Sequence, residues 1–404
     1  MKRFPFASVF REWAEMRRFK ALGPDARSIV FYAEDAASWE HFEPIVRELT
    51  GPMGRSICYL TSSPTDPILA DDREGVRVFS IGEGVVRTAL FLCLRADVAV
   101  MTMPDLGTYH LKRSMVHPVH YVYVFHSMVS THMIYRKGAF DHFDTVCCVG
   151  PHHLREIRAA ETAYDLPAKN LVEHGYGRLD SLLERNDGAG AARRTRDGRK
   201  RRVLVAPSWG PNGLLETQGL CLVRVLLDAG HHVTVRPHPM TVRKWPRAIG
   251  MLRERFGGHP RFALETNVAS AESFEASDVM ISDWSGAALE YAFAFERPVL
   301  FVDVPRKVNN PDYGDVGCEP LEVAVRHEVG DVVPPRELSR LPARIDGMCA
   351  HSGEFVERIR RVRSRVVYNV GRSGAAAAAC IARIADLRSI ARENLENTSC
   401  GVVA

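Results

Sequence analysis

The chain has 404 residues, 46% hydrophobic and 25% charged, an ordinary globular composition with length for two domains that each bury a full core. A net charge of +4 is too small to argue for nucleic acid as a partner. The nine cysteines are scattered, with no C-x-x-C pair, which excludes a disulfide frame and a zinc ribbon and reads as thiols in a reducing compartment.

In chain order, Phe6, Val9, Phe10, Trp13 and Met16 fall on one helical face, with Lys2, Arg3, Arg11, Arg17, Arg18 and Lys20 around it. Such a basic amphipathic helix, residues 1–24, is expected to lie on its own domain, on a partner chain or on an anionic membrane surface. It carries no apolar segment followed by a cleavage site, so the expected location is cytoplasmic, peripheral on the inner face of the membrane where the helix meets lipid. The most apolar stretch, Val85 to Met103, is broken by Arg87, Arg95 and Asp97 and does not read as a membrane span.

From 25 to 185, short Val- and Ile-rich runs alternate with helical stretches. Strands are expected at Ser28–Tyr32, Ser56–Leu60, Val76–Ile81, Asp97–Thr102, His120–Phe125 and Thr145–Val149, and helices at Ser38–Leu49, Val85–Leu94 and His152–Ala163. Residues 186–202 lose every large apolar side chain and fill with Arg and Lys, as a solvated linker does. The alternation resumes over 203–350, with strands at Val203–Val205, Val233–Val235, Asp278–Ile281 and Val299–Val302 and helices at Thr217–Leu227 and Val242–Phe256. The last part, 351–404, reads as helices, Phe355–Val370 and Ala375–Leu387. The fold class is therefore α/β: two Rossmann-like domains, expected to face a cleft, with C-terminal helices. Ligands of such sheets sit beyond the carboxyl ends of the strands.

Four strand ends deliver polar groups to that position. His126 comes straight off the Tyr121–Phe125 run, where a neutral imidazole can take a proton from a hydroxyl near pH 7. Val203–Val205 runs into Ala206-Pro207-Ser208-Trp209, placing a hydroxyl and an indole. Val233–Val235 runs into Arg236-Pro237-His238-Pro239, a stiff loop whose guanidinium and imidazole suit an anionic leaving group. Asp278–Ile281 runs into Ser282-Asp283-Trp284-Ser285-Gly286, a helix start whose free N–H groups, Ser285 hydroxyl and bare Gly286 backbone suit a phosphate; an ordinary N-cap explains the same letters. Walker A, G-x-S-x-G, H-E-x-x-H and Asp-x-Asp motifs are absent from the sequence, so chemistry without a resident metal or cofactor is expected.

The order of these motifs resembles the CDP-glycerol glycerophosphotransferase family, the teichoic-acid primases and polymerases of GT-B fold. The family's His-Gly is matched by His126-Ser127, its Ala-Pro-Thr-Trp turn by Ala206-Pro207-Ser208-Trp209, its basic-x-His-Pro by Arg236-Pro237-His238-Pro239, and its Ser-Asp-Tyr-Ser-Ser by Ser282-Asp283-Trp284-Ser285-Gly286, followed by Arg297-Pro298. Two departures stand out: Ser127-Met128-Val129-Ser130-Thr131 follows His126 without the family's Lys, and Gly286 replaces a second Ser. The resemblance implies a CDP-glycerol or related polyol donor, with His126, His238 and Arg236 catalytic and Ser208, Trp209, Asp283, Ser285 and Gly286 holding the donor. It also implies a lipid-linked or glycan acceptor in cell-envelope or capsule polymer synthesis. A sugar-nucleotide glycosyltransferase or non-hydrolysing epimerase, or a non-catalytic nucleotide-binding assembly protein, would share the fold.

Overall fold

The computed structural model describes residues 5–188, 200–266 and 271–400. Thirteen strands among them form two sheets, every neighbouring pair parallel. The first contains β1 (Ile29–Ala33), β2 (Ile57–Thr61), β3 (Val76–Ser80), β4 (Val98–Met101), β5 (His120–Val124), β6 (Thr145–Cys148) and β7 (Asn170–Glu173), in the order β3-β2-β1-β4-β5-β6-β7. The second contains β8 (Arg202–Val205), β9 (His232–Val235), β10 (Phe262–Leu264), β11 (Val279–Ser282), β12 (Val299–Val302) and β13 (Gly330–Val333), in the order β10-β9-β8-β11-β12-β13. Each is a doubly wound sheet whose order reverses once, between β1 and β4 and between β8 and β11. At such a reversal the following loops diverge and leave a crevice.

The apolar runs form central strands because both faces of a parallel sheet are covered: β1, β2, β4, β6, β11 and β12 are buried at every position. The edge strands β7, β10 and β13 were not expected from the sequence. They are short and partly exposed, so they lack the continuous apolar signal. The helix expected over Val242–Phe256 is two, Pro239–Lys244 and Pro246–Phe256, because Trp245 precedes a proline that disfavours helical backbone before it.

The chain divides into two units. The first comprises the chain to His126, Tyr135–Arg178 and everything from Val367. The second comprises Ser127–Ile134 and Leu179–Val366. The expected C-terminal helical block is thus shared: Ser352–Val366 belongs to the second unit and Ser373–Cys400 to the first. Ala377, Ala378, Ile381 and Ala385 of the last helix join Phe31, Phe42 and Ile45 in one core. Small residues permit that approach: a Cβ on Gly374 would meet the Pro44 carbonyl oxygen at 2.5 Å. Paired contacts from Arg392 to Asp97, both 2.7 Å, and from Arg55 to Asp386, both 2.8 Å, fix its register. Of the expected linker, 189–199 lie outside the described residues, as do Lys2, Arg3 and the side chain of Phe6.

Ser127–Ile134 is fastened within the second unit by backbone and side-chain bonds. Glu322 accepts from Ser130 N–H and Oγ, both at 2.8 Å. Asn310 Nδ2 donates to His132 O at 2.9 Å, and His132 Nε2 bonds Cys318 O at 2.9 Å. His132 and His120, whose Nε2 bonds Thr145 Oγ1 at 2.8 Å, are spent on these structural contacts.

Candidate active site

In the first unit, β5 is followed by buried Phe125 and exposed His126. His126 Nδ1 lies 2.9 Å from the carbonyl oxygen of Thr102, the residue after β4. A carbonyl only accepts, so Nδ1 carries the proton and the lone pair of the neutral ring falls on Nε2. Tyr176 Oη donates to the His126 carbonyl at 3.0 Å and fixes the backbone there. Two further histidines lie in the layer below. His41, its ring 6.3 Å from that of His126, is driven down to about 3 by burial first and by the neighbouring His126 and His174 second. Burial pushes His174 down to about 4. Both remain neutral at physiological pH and place no fixed charge beneath His126.

In the second unit, the strand ends at the reversal between β8 and β11 converge on one carboxylate. Asp283 is buried; its Oδ1 accepts the N–H groups of Ser208 and Trp284, both at 2.6 Å, and its Oδ2 accepts Leu214 N–H at 3.2 Å. Expected as a donor-binding group, Asp283 instead binds backbone amides and orients the Ser208–Trp209 turn and the start of the Leu214–Asp228 helix. Its charge would repel a phosphate, and the three amides use it. Ser285 caps the Gly286–Phe295 helix, its Oγ accepting from Ala287 N–H at 3.3 Å. Ala288 N–H bonds the Ser285 carbonyl oxygen at 3.1 Å; a helix N-terminus of this kind favours an anion.

Gly286 has a steric reason. A Cβ there would meet Ser127 Oγ at 2.6 Å and Val129 Cγ1 at 3.6 Å. The hydroxyl that follows His126 occupies the space a side chain at 286 would need. Gly286→Ser is therefore expected to lower donor affinity about tenfold by displacing the Ser127 segment, and Ser127→Gly with Gly286→Ser to restore it, since contacting residues couple by about 0.5–3 kcal/mol. Titrating the single and double variants with CDP-glycerol checks this; additive losses would refute it.

Trp209, at the end of the β8 turn, sits among cations. Its ring centroid lies 6.0 Å from that of His238 and 6.1 Å from that of Trp245; Lys307 Nζ is 4.4 Å and Lys244 Nζ 4.8 Å from it. His238 caps the Pro239–Lys244 helix, its Nδ1 accepting from Met240 N–H at 3.1 Å, so its proton is on Nε2. Burial and the Lys307 charge push it down to about 3. It is a neutral imidazole that offers Nε2–H as a donor. Arg236 itself is buried: Nη1 donates to Ser273 Oγ at 3.0 Å and its guanidinium lies 4.7 Å from the Phe274 ring centroid. The structure thus brings Ser208, Trp209, His238, Asp283, Ser285 and Gly286 onto the strand ends of one sheet, and packs Arg236 on Phe274.

Sequence reasoning missed Lys307 and Glu216. Arg306-Lys307 follows β12 directly after Asp303-Val304-Pro305, the same strand-end position that singled out the other motifs, without a motif of its own. Glu216 accepts from Thr241 Oγ1 at 2.8 Å, and burial raises its carboxyl above the ordinary range. Among the described residues no group of three or more His, Cys, Asp or Glu side chains is placed to hold a metal ion.

Residues 99–307, more than half of the chain and spanning all of these strand ends from β4 to Lys307, match the family described as CDP-glycerol:poly(glycerophosphate) glycerophosphotransferase. The chain belongs to this family. It is a CDP-glycerol glycerophosphotransferase, a transferase that uses a nucleotide-activated donor. Solved structures of the same fold include the wall teichoic acid polymerase TagF soaked with CDPG, 14% identical over 95% of both chains with a TM-score of 0.55. They also include a putative UDP-N-acetylglucosamine 2-epimerase from Listeria monocytogenes, 10% identical over 86% of this chain and 94% of the other, TM-score 0.57. A third is S. aureus MnaA with UDP, 13% identical over 86% and 94%, TM-score 0.53. At these identities the likeness is one of fold, GT-B-like with two parallel-sheet domains and C-terminal helices. No curated protein sequence matches the chain.

Proposed function

We propose that this glycerophosphotransferase extends a poly(glycerophosphate) or lipid-linked glycan acceptor in cell-envelope polymer synthesis, teichoic acid or a capsule-like polymer, with His126 as general base. The observation that carries the base assignment is the bond from His126 Nδ1 to the Thr102 carbonyl oxygen, which puts the ring proton on Nδ1 and the basic lone pair on Nε2. In the reaction, the acceptor hydroxyl oxygen forms a bond to the phosphorus that bears glycerol. The bond from that phosphorus to the bridging oxygen breaks, and its electron pair leaves on CMP. The hydroxyl proton passes to His126 Nε2. The Gly286 helix start and Ser285 receive the diphosphate, and His238 Nε2–H donates to oxygens that gain charge. These groups meet the phosphate charge without a resident metal or cofactor. Incubation with CDP-glycerol, CDP-ribitol and UDP- and GDP-sugars, followed by nucleotide analysis, tests the reading. CMP from a CDP-polyol supports it; UDP or GDP with no CMP would move the chain to glycosyl transfer or epimerisation.

A peripheral membrane position is part of this proposal, with the chain on the cytoplasmic side. In the helix Pro5–Lys20, Met16 and Phe19 are buried, Phe19 packing edge-on to Phe79 at 5.4 Å. Val9, Phe10 and Trp13 remain 39%, 75% and 37% exposed beside Arg11 and Arg17. No helix is long and apolar enough to cross a membrane among the described residues. Aromatic side chains with flanking arginines suit an anionic interface. Phe10→Glu with Trp13→Glu should lower sedimentation with anionic liposomes by about tenfold or more, each buried aromatic being worth about 1.5–3 kcal/mol. Unchanged sedimentation would remove the membrane role.

A further inference from the structure

We propose that Lys307 is a donor-binding residue of this site: its ammonium, held over Trp209 beside His238, takes the diphosphate of CDP-glycerol and the charge that collects on departing CMP. The inference rests on the donor reading above and adds a residue that no motif marks.

The position is unusual for a lysine. Nζ lies 4.4 Å from the Trp209 ring centroid. The side chain is half-buried, and among the described residues no carboxylate comes within ion-pair distance of Nζ. A lysine drawn out of water without a paired carboxylate is costly unless an anion completes its surroundings. The groups facing it come from several elements: Asp283 after β11, Glu216 on the Leu214–Asp228 helix, His238 at the start of the Pro239–Lys244 helix, and Lys244 over the same indole. The carboxylates do not discharge it. Asp283 is committed to three amides, and Glu216 accepts from Thr241 and is itself raised by burial. His238 is neutral and offers Nε2–H. One ammonium and one imidazole N–H therefore converge beside an indole, an arrangement for a phosphate joined to a flat, apolar-faced group.

The protonation behaviour agrees. Burial pushes Lys307 down to about 8, and Asp283 and Glu216 hold it from falling further. Lysine is charged below its pKa, so the empty site carries its cation at pH 7 and loses it as pH rises through about 8. A bound diphosphate favours the charged form and raises that value.

The test is calorimetric titration of the full chain with CDP-glycerol, whose diphosphate diester has no titrating group near neutrality. For the native protein, affinity should fall about tenfold between pH 7 and 9. Binding at pH 8.5 should take up most of one proton, read from two buffers of different ionisation enthalpy. Lys307→Met should bind about 10- to 100-fold more weakly at pH 7, the range of a charge-assisted contact, and take up no proton. Lys307→Arg should bind without the alkaline loss. Because Met removes an unpaired ammonium, the unliganded variant should melt no lower than the native protein, which separates lost binding from lost folding. Native-like affinity and proton uptake in Lys307→Met would overturn the assignment. Failure of every form to bind CDP-glycerol, with binding of a UDP-sugar instead, would overturn the donor reading and not the role of Lys307 toward a diphosphate.

Discussion

His126→Ala is expected to lower turnover of CDP-glycerol about 10²- to 10⁴-fold, the usual worth of a positioned general base, while leaving donor affinity within about twofold. Both halves follow from placement. His126 follows β5 of the first unit, its Nδ1 bonded to the Thr102 carbonyl, whereas the donor groups are the strand ends of the second unit. Losing the ring removes its bond to the Thr102 carbonyl oxygen, worth about 1 kcal/mol, while Tyr176 still holds the backbone carbonyl. The variant should therefore fold and bind donor but fail to deprotonate the acceptor. His126→Gln offers no base and should be as inactive. Rapid-quench measurement of CMP formation under single-turnover conditions reads the chemical step directly. A loss below about tenfold would show that the hydroxyl proton goes elsewhere. A parallel loss of donor binding would mark the ring as a donor ligand.

Most of the architecture was written in the sequence as buried apolar runs, because central parallel strands are covered on both faces. Asp278–Ile281 and Val299–Val302 announce themselves within one residue of β11 and β12. The edge strands did not, since Asn170–Glu173 and Phe262–Leu264 are half-wet and carry no such run. The division of the chain between units was also hidden. Nothing local tells that Ser127–Ile134 is bonded to Cys318, Asn310 and Glu322, or that an alanine-rich C-terminal helix seals the first unit. These are partnerships between residues far apart in sequence.

At the site, residue types were legible and their duties less so. Strand-end position singled out Asp283 and His238 without revealing that one serves amides and the other caps a helix as a neutral ring. The two departures from the family pattern, Ser127 and Gly286, looked like separate changes along the sequence. In the structure they are neighbours, because a Cβ at 286 would meet the Ser127 hydroxyl at 2.6 Å. Lys307 escaped because a lone lysine after a strand has no signature until the indole above which it lies is known.

Asp283→Ala is expected to give the largest loss of stability of any change at the donor site. The carboxylate is buried and satisfies three backbone N–H groups, those of Ser208, Trp284 and Leu214. Hydrogen bonds to a charged group are worth about 1.5–3 kcal/mol each, and buried donors left without acceptors add their desolvation cost. Relaxation and entering water recover part of this, so a net cost of about 3–5 kcal/mol is expected. For a unit of this size that is a fall in Tm of about 10 °C. Asp283→Asn should recover little, because its amide NH₂ must face one of the N–H groups that an oxygen now serves. Ser285→Ala removes one cap bond and should cost only about 1 kcal/mol. Scanning calorimetry of the three variants orders these effects, and the transition of the first unit, where resolved, should not move. Donor affinity should fall with Asp283→Ala even where the protein remains folded, because the Ser208–Trp209 turn that carries the indole beneath Lys307 loses its tether. If Asp283→Ala melts like Ser285→Ala yet still loses the donor, the carboxylate acts on the ligand itself rather than through the amides.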